Sequence, residues 1–247
     1  MRLYGLVGYP LSHSFSPAYF KKKFEQESIL DAEYRLFPIE HISLINELYE
    51  LPNLCGLNVT IPYKEKIIPY LDQLDPIAET IGAVNTIHIF DGKKIGYNTD
   101  IIGFKKALQS LIGNERPNAL ILGTGGAAKA VYYCLATMGI DSSFVSRKSA
   151  PLTRSISYNE VDKKCLEHHR LIINTTPLGT YPEVDDYPSI DVDLLNENHF
   201  LYDLIYNPKE TMLMRLAQAK GAKVSNGYNM LIGQAEASWS IWNKQSP

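Results

Sequence analysis

A chain of 247 residues can bury one large or two modest cores, and its 45% hydrophobic and 21% charged content is that of a globular protein. A formal charge of -3 gives no electrostatic reason to expect nucleic acid or an anionic membrane as partner. Three cysteines (Cys55, Cys134, Cys165) suit structural thiols in a reducing compartment, and no apolar run approaches the ~20 residues of a membrane span, so a soluble, cytoplasmic chain is expected.

The amino-terminal MRLYGLVGYPLSHS has no signal-peptide organisation. Residues 2–8 and 32–37 read as strands, with helical stretches near 17–28 and 41–50. CGLNVTI (55–61) reads as a third strand, and Pro62 suits the first position of a helix running to about Leu71, interrupted at Pro69. AVNTIHIFDGKKIGYNTD holds Asp91-Gly92, a hairpin turn signal between two strands. Strands then follow at 118–123, 142–146, 171–176, 199–206 and 222–226, separated by helical stretches long enough for βαβ crossovers, which predicts a parallel sheet. The closing YNMLIGQAEASWSIW repeats apolar residues at helical spacing, and the chain is expected to leave its second domain at Gly227 and return to the first. The expectation is an α/β protein with an N-terminal α/β domain over 1–101, a Rossmann-like domain over 102–227 and a C-terminal helix over 228–247 packed on the first domain.

GTGGAA, from Gly123 through Thr124, Gly125, Gly126 and Ala127 to Ala128, follows a strand and opens a helix. Glycines let backbone approach a pyrophosphate, and a helix N-terminus offers N–H donors and positive potential. The next strand ends in Ser146-Arg147-Lys148, without the acidic residue that would bind a ribose 2′-hydroxyl. Two cations there suit a 2′-phosphate, and NADP(H) is preferred to a solvated basic loop. The polar clusters SHSFSP, NVTIPYK, AVNT and YNTD sit where strands end, the usual place for ligands in α/β sheets. Taken singly, these residues suit helix caps and turns, Ser16 and Asp100 among them. Cys165, His168 and His169 lack the spacing of a closed zinc site, and no metal is expected.

LSHSFSP, NVTIPYK, GAVNT, NTDIIGF, GTGGAAKA, NTTPLG, DLIYNP and GYNMLIGQA occur in the order in which the shikimate dehydrogenases carry them, and the chain resembles that family along nearly its whole length. The resemblance implies NADPH-dependent reduction of 3-dehydroshikimate to shikimate, a step towards aromatic amino acids. By that likeness Ser14 and Ser16 hold the substrate carboxylate, while Asn58, Thr60, Asn85, Asp100 and Gln234 bind ring hydroxyls. Lys64 and Asp100 form the catalytic pair, and Tyr206 approaches the substrate from the cofactor side. Leu204, Gly227 and Met230 line the nicotinamide end, with Thr175 near the cofactor. The S-x-S pattern matches the shikimate-specific branch. Ser146-Arg147-Lys148 departs from the commoner Asn-Arg-Thr, Asn229 stands where many members have glycine, and the segment after Lys148 is short.

Hydride delivery to a ketone leaves developing negative charge on oxygen, so a proton donor or an electrostatic stabiliser is needed there. Lys64, in the first turn of the helix expected at Pro62, can be either, at a helix end whose dipole disfavours a further cation. Two rivals stay open at this point: a quinate-using enzyme of the same fold, and a catalytically silent NADP-binding homologue. A monomer or homodimer is expected, acting on a small-molecule substrate with no nucleic-acid or membrane partner.

Overall fold

A computed structural model of the chain describes residues 1–12, 14–147 and 155–244; Lys148 and the His13 of SHSFSP lie outside them. The chain divides into two compact units, Met1–Thr99 with Ala235–Pro247, and Asp100–Gln234.

The first unit is built on a six-stranded mixed sheet of β1 (Arg2–Gly8), β2 (Ala32–Pro38), β3 (Leu54–Val59), β4 (Gln73–Leu74), β5 (Thr86–Phe90) and β6 (Lys93–Tyr97), in the order β2-β1-β3-β5-β6-β4. Strands β1, β2 and β3 run parallel, and β3, β5 and β6 alternate in direction. Strand β1 is buried over Leu3–Gly8, the pattern of a strand covered on both faces. Helices α1 (Ser16–Gln26), α2 (Ile45–Tyr49) and α3 (Pro76–Ile81) belong to this unit. The start and stop of α3 are written in sequence: Asp75 accepts from the Ile77 N–H, Pro76 follows it, and Gly82 closes the helix at φ 69°. The β5–β6 turn forms as expected, with Asp91 and Gly92 both at positive φ.

Two local expectations fail here. Residues 61–67 form turns and Ile68–Tyr70 a single 3-10 turn, so no α-helix starts at Pro62. Pro62 and Pro69 enclose only six residues, too few to offset the cost of helix nucleation, and Pro69 has no N–H to extend the ladder. Nor is Ser16 the cap of α1. Phe15 occupies that position in helical geometry with no side-chain cap, and Ser16 is already the first helical residue.

The second unit carries a six-stranded all-parallel sheet. Its strands are β7 (Ala119–Leu122), β8 (Ser142–Ser146), β9 (Ser155–Ser157), β10 (Leu171–Asn174), β11 (Phe200–Asp203) and β12 (Lys223–Ser225), in the order β12-β11-β10-β7-β8-β9. This is the doubly wound order, whose direction of winding reverses between β7 and β10. Its helices are α4 (Asp100–Ile112), α5 (Gly126–Thr137), α6 (Lys163–His168), α7 (Met212–Ala219) and the start of α8 (Tyr228–Trp242). Strands β7, β10 and β11 are buried at every residue, with one core formed on each face. Both β10 and β11 end earlier than the apolar runs suggest, because the last side chain of each turns the backbone: Asn174 Oδ1 accepts from the Thr176 N–H, and Asp203 Oδ1 from the Ile205 N–H.

Helix α8 is divided between the units at Gln234 and Ala235. In the second unit Gly103 of α4 lies so near α8 that a Cβ there would stand 2.3 Å from the Met230 carbonyl oxygen. In the first, Ala235, Trp239 and Trp242 pack with Tyr4, Phe20 and Phe24, and the Tyr4 and Trp242 rings stack at 4.8 Å.

Candidate active site

In the second unit the glycine-rich turn lies at the reversal point of the sheet. Gly123 has φ 111°, and a Cβ on it would stand 2.8 Å from Thr175 Oγ1, so both backbone angle and space exclude a side chain. Thr175 is itself fixed, its hydroxyl donating to the Leu122 carbonyl at 2.6 Å. Gly125 is the N-cap of the twelve-residue α5 and brings no side chain to cap its first-turn N–H groups, and among the described residues nothing beyond its chain neighbours lies within 4 Å of where its Cβ would be. These residues open onto a cleft of about 590 Å³ lined also by Ser146, Arg147, Tyr158, Thr176 and Ser189. Backbone donors at a helix N-terminus, next to a space that glycine leaves open, fit the pyrophosphate of a dinucleotide.

Ser146 and exposed Arg147 end β8 on this cleft, where a guanidinium can meet a 2′-phosphate. The Ser146 hydroxyl also bonds that of Ser155 at 2.9 Å. Lys148, with the shortened segment through residue 154, lies outside the described residues. Gly126 and Ala127 form the first turn of α5. Gly227 and Leu204 meet through backbone: the Gly227 N–H donates to Ile205 O at 3.0 Å, and a Cβ at Gly227 would fall 2.0 Å from Leu204 O. Burial pushes the Tyr206 phenol up. Met230 is half-buried on α8.

In the first unit the polar motifs converge on a buried network. Asn58 Oδ1 accepts from the Tyr34 hydroxyl at 2.8 Å; its Nδ2 donates to Ser238 Oγ at 2.9 Å and lies 3.2 Å from Thr86 Oγ1. The Ser16 hydroxyl bonds the Tyr34 phenol, whose titration burial pushes far up. Asn85 Oδ1 accepts from the Thr99 N–H at 2.7 Å, and its Nδ2 donates to Thr99 Oγ1 at 3.0 Å. An amide side chain has two donors and two acceptor sites. Among the described residues both donors and one acceptor site of Asn58 are taken, which leaves one Oδ1 lone pair unused.

Ser14 Oγ donates to Leu11 O at 2.9 Å, and Thr60, just past β3, donates its N–H to Val7 O. Lys64 is half-buried on the turns that replace the expected helix, and its carbonyl accepts from the Val84 N–H at 2.7 Å. The helix-dipole argument for its environment therefore falls away. In the second unit Asp100 is buried as the first residue of α4, where an anion is favoured. Gln234 is also buried and donates from Nε2 to Leu231 O.

Residues 6–87 match the model of the shikimate dehydrogenase substrate binding domain. The NADP(+)-dependent shikimate dehydrogenase of Clostridium beijerinckii is 41% identical over 99% of this chain and 93% of its own. The chain belongs to the shikimate dehydrogenase family. Among solved structures of the family, the Aquifex aeolicus enzyme superimposes with a TM-score of 0.88 at 36% identity, covering 100% of this chain and 94% of that one. The Thermus thermophilus enzyme, in complex with NADP(H) and shikimate, has a TM-score of 0.88 at 32% identity, over 98% of this chain and 94% of its own.

Motif reading did not single out Tyr34, Thr86, Thr99, Ser238, Asn174 or Asp203. Tyr34 sits in no motif, and its only signal was an aromatic in a strand. Asn174 and Asp203 open the NTT and DLIY strings, where a polar residue ending a buried strand was a usable signal. No helix among the described residues is long and apolar enough to cross a membrane.

Proposed function

We propose that the protein catalyses the reversible NADPH-dependent reduction of 3-dehydroshikimate to shikimate, in the cytoplasm, as a monomer or homodimer. The reading rests above all on the family relationship along the whole chain. Arg147 at the end of β8 supports NADP(H) over NAD(H), since a 2′-phosphate offers the guanidinium a charge-assisted partner. Gly123 to Ala127 receive the pyrophosphate, and Leu204, Gly227 and Met230 line the nicotinamide with Thr175 nearby. NADPH, when bound, supplies the hydride.

The chain's own residues do the rest. Ser14 and Ser16 bind the substrate carboxylate, and Asn58, Thr60, Asn85, Asp100 and Gln234 the ring hydroxyls. The Lys64 ammonium gives its proton to the carbonyl oxygen as charge develops there, and takes one back from the hydroxyl in the reverse direction. Asp100 orients that ammonium, and Tyr206 approaches the ring from the cofactor side. The test is turnover of the purified protein with shikimate and quinate, each with NADP+ and NAD+, followed by nicotinamide absorbance. Shikimate with NADP+ is expected to be the preferred pair. A preference for quinate or NAD+ would replace the substrate or cofactor assignment, and NADP+ binding without turnover of either acid would make the chain a silent homologue.

A further inference from the structure

Strands β10 and β11 are neighbours in register, and their last residues, Asn174 and Asp203, face each other across the ladder. Each side chain accepts the N–H two residues on, Thr176 for Asn174 and Ile205 for Asp203, and Asn174 Nδ2 donates to Asp203 Oδ1 at 3.0 Å. The other carboxylate oxygen accepts from Thr211 Oγ1 at 2.7 Å, and Thr211 in turn caps α7 through the Met214 N–H. Asn174 and Asp203 are fully buried and Thr211 nearly so. The carboxylate has three donors, all neutral, drawn from β10, the turn after β11 and the start of α7.

A buried carboxylate without a cationic partner is costly, and an amide or apolar residue would serve the core alone more cheaply. What it achieves here is geometric. The carboxylate holds the turn after β11 directly and, by anchoring Asn174, the turn after β10; those turns carry Thr175 on one side and Leu204 and Tyr206 on the other. We propose that Asp203 is a positioning residue for hydride transfer, holding these two turns in register for the nicotinamide and substrate. This deepens the functional reading above and rests on it.

The test compares Asp203→Ala, Asp203→Asn and wild type in shikimate oxidation, with the primary deuterium isotope effect on kcat and the Kd for NADP+. Asp203→Ala leaves three donors without an acceptor; we expect kcat to fall by about tenfold or more with Kd for NADP+ changed by less than about threefold. The isotope effect should rise, because misplaced reactants slow the hydride step itself. A smaller folded fraction would lower kcat with the isotope effect unmoved, and that result would overturn the proposal. Asp203→Asn keeps an acceptor for Ile205 and Asn174 and should lose only about threefold in kcat. Should the alanine variant not fold, the asparagine variant decides: wild-type kcat and isotope effect would overturn the proposal. Wild-type protein inactive on shikimate with NADP+ would instead remove the functional reading, an outcome read in the absence of any substitution.

Discussion

Asn58 Nδ2 donates to Ser238 Oγ at 2.9 Å, joining the end of β3 to the second half of α8 within the first unit. Ser238 also bonds Thr86 at 2.8 Å, and its side chain is fully buried. Ser238→Ala removes one partner from each, and leaving buried polar groups short of partners costs about 1–3 kcal/mol. At ~2–4 °C per kcal/mol for a chain of this size, the melting temperature should fall by on the order of 5 °C. Because Asn58 loses an anchor, KM for shikimate should rise more than kcat falls. An unchanged melting curve would show that the network contributes nothing to stability.

Lys64 stands on a non-helical turn held by its carbonyl bond from Val84. Its proposed role as proton donor predicts that Lys64→Ala lowers kcat by ~10²–10⁴-fold, the range typical of general acid–base catalysis, with a smaller change in KM. Steady-state kinetics in both directions would check this. Turnover close to wild type would reassign the proton to another group.

Arg147 is the cation at the end of β8 within the described residues. Removing a charge-assisted bond worth about 1.5–3 kcal/mol should reduce kcat/KM for NADP+ by roughly 10- to 100-fold in Arg147→Ala, with little change for NAD+. The ratio of the two cofactor efficiencies is the measurement, and an unaltered ratio would separate Arg147 from the 2′-phosphate.

The glycine turn offers two substitutions with different expected failures. Gly123→Ala meets both a φ of 111° and Thr175 Oγ1, so it should destabilise the protein by about 1–3 kcal/mol and weaken NADP+ binding. Gly125→Ala meets nothing among the described residues beyond its chain neighbours and has an ordinary φ of -75°, so the melting temperature should be nearly kept. Its methyl group would project into space reserved for the pyrophosphate, and NADP+ affinity should fall by about tenfold or more. Thermal melts and titration with NADP+ separate the two effects.

Most of the second unit was legible because buried parallel strands and a glycine turn leave strong local signals: four consecutive buried residues in β7, β10 and β11, and Gly123 where no side chain fits. The β5–β6 hairpin was legible through Asp91-Gly92. The stretch after Pro62 was not, since a proline at a first helical position indicates a start only when enough residues follow before the next one. The buried network was missed for another reason. Its bonds join residues far apart in sequence, such as Asn58 with Ser238, and no local pattern records a long-range hydrogen bond. Asn58 could be read as a ligand from its motif, but that three of its four hydrogen-bonding positions are spent inside the protein required the fold.

Asp203 gives stability a pH dependence of defined sign. Burial pushes its carboxyl up to about 6 from an ordinary value of 3.8, and the bonds from Thr211, Ile205 and Asn174 oppose that shift without cancelling it. The folded protein therefore holds this proton more tightly than the unfolded chain. The stabilising contribution is fully present below about 4 and is lost as pH rises through about 6. A shift of this size corresponds to on the order of 3 kcal/mol across the window. Asp203→Asn cannot titrate, so the unfolding free energy of wild type minus that of Asp203→Asn should decline between about pH 4 and pH 7 and level off above it. Other carboxylates contribute equally to both proteins and drop out of the difference. Urea unfolding at a series of pH values measures it, and a difference that stays flat would show that Asp203 is ionised as readily in the folded protein as in the unfolded chain.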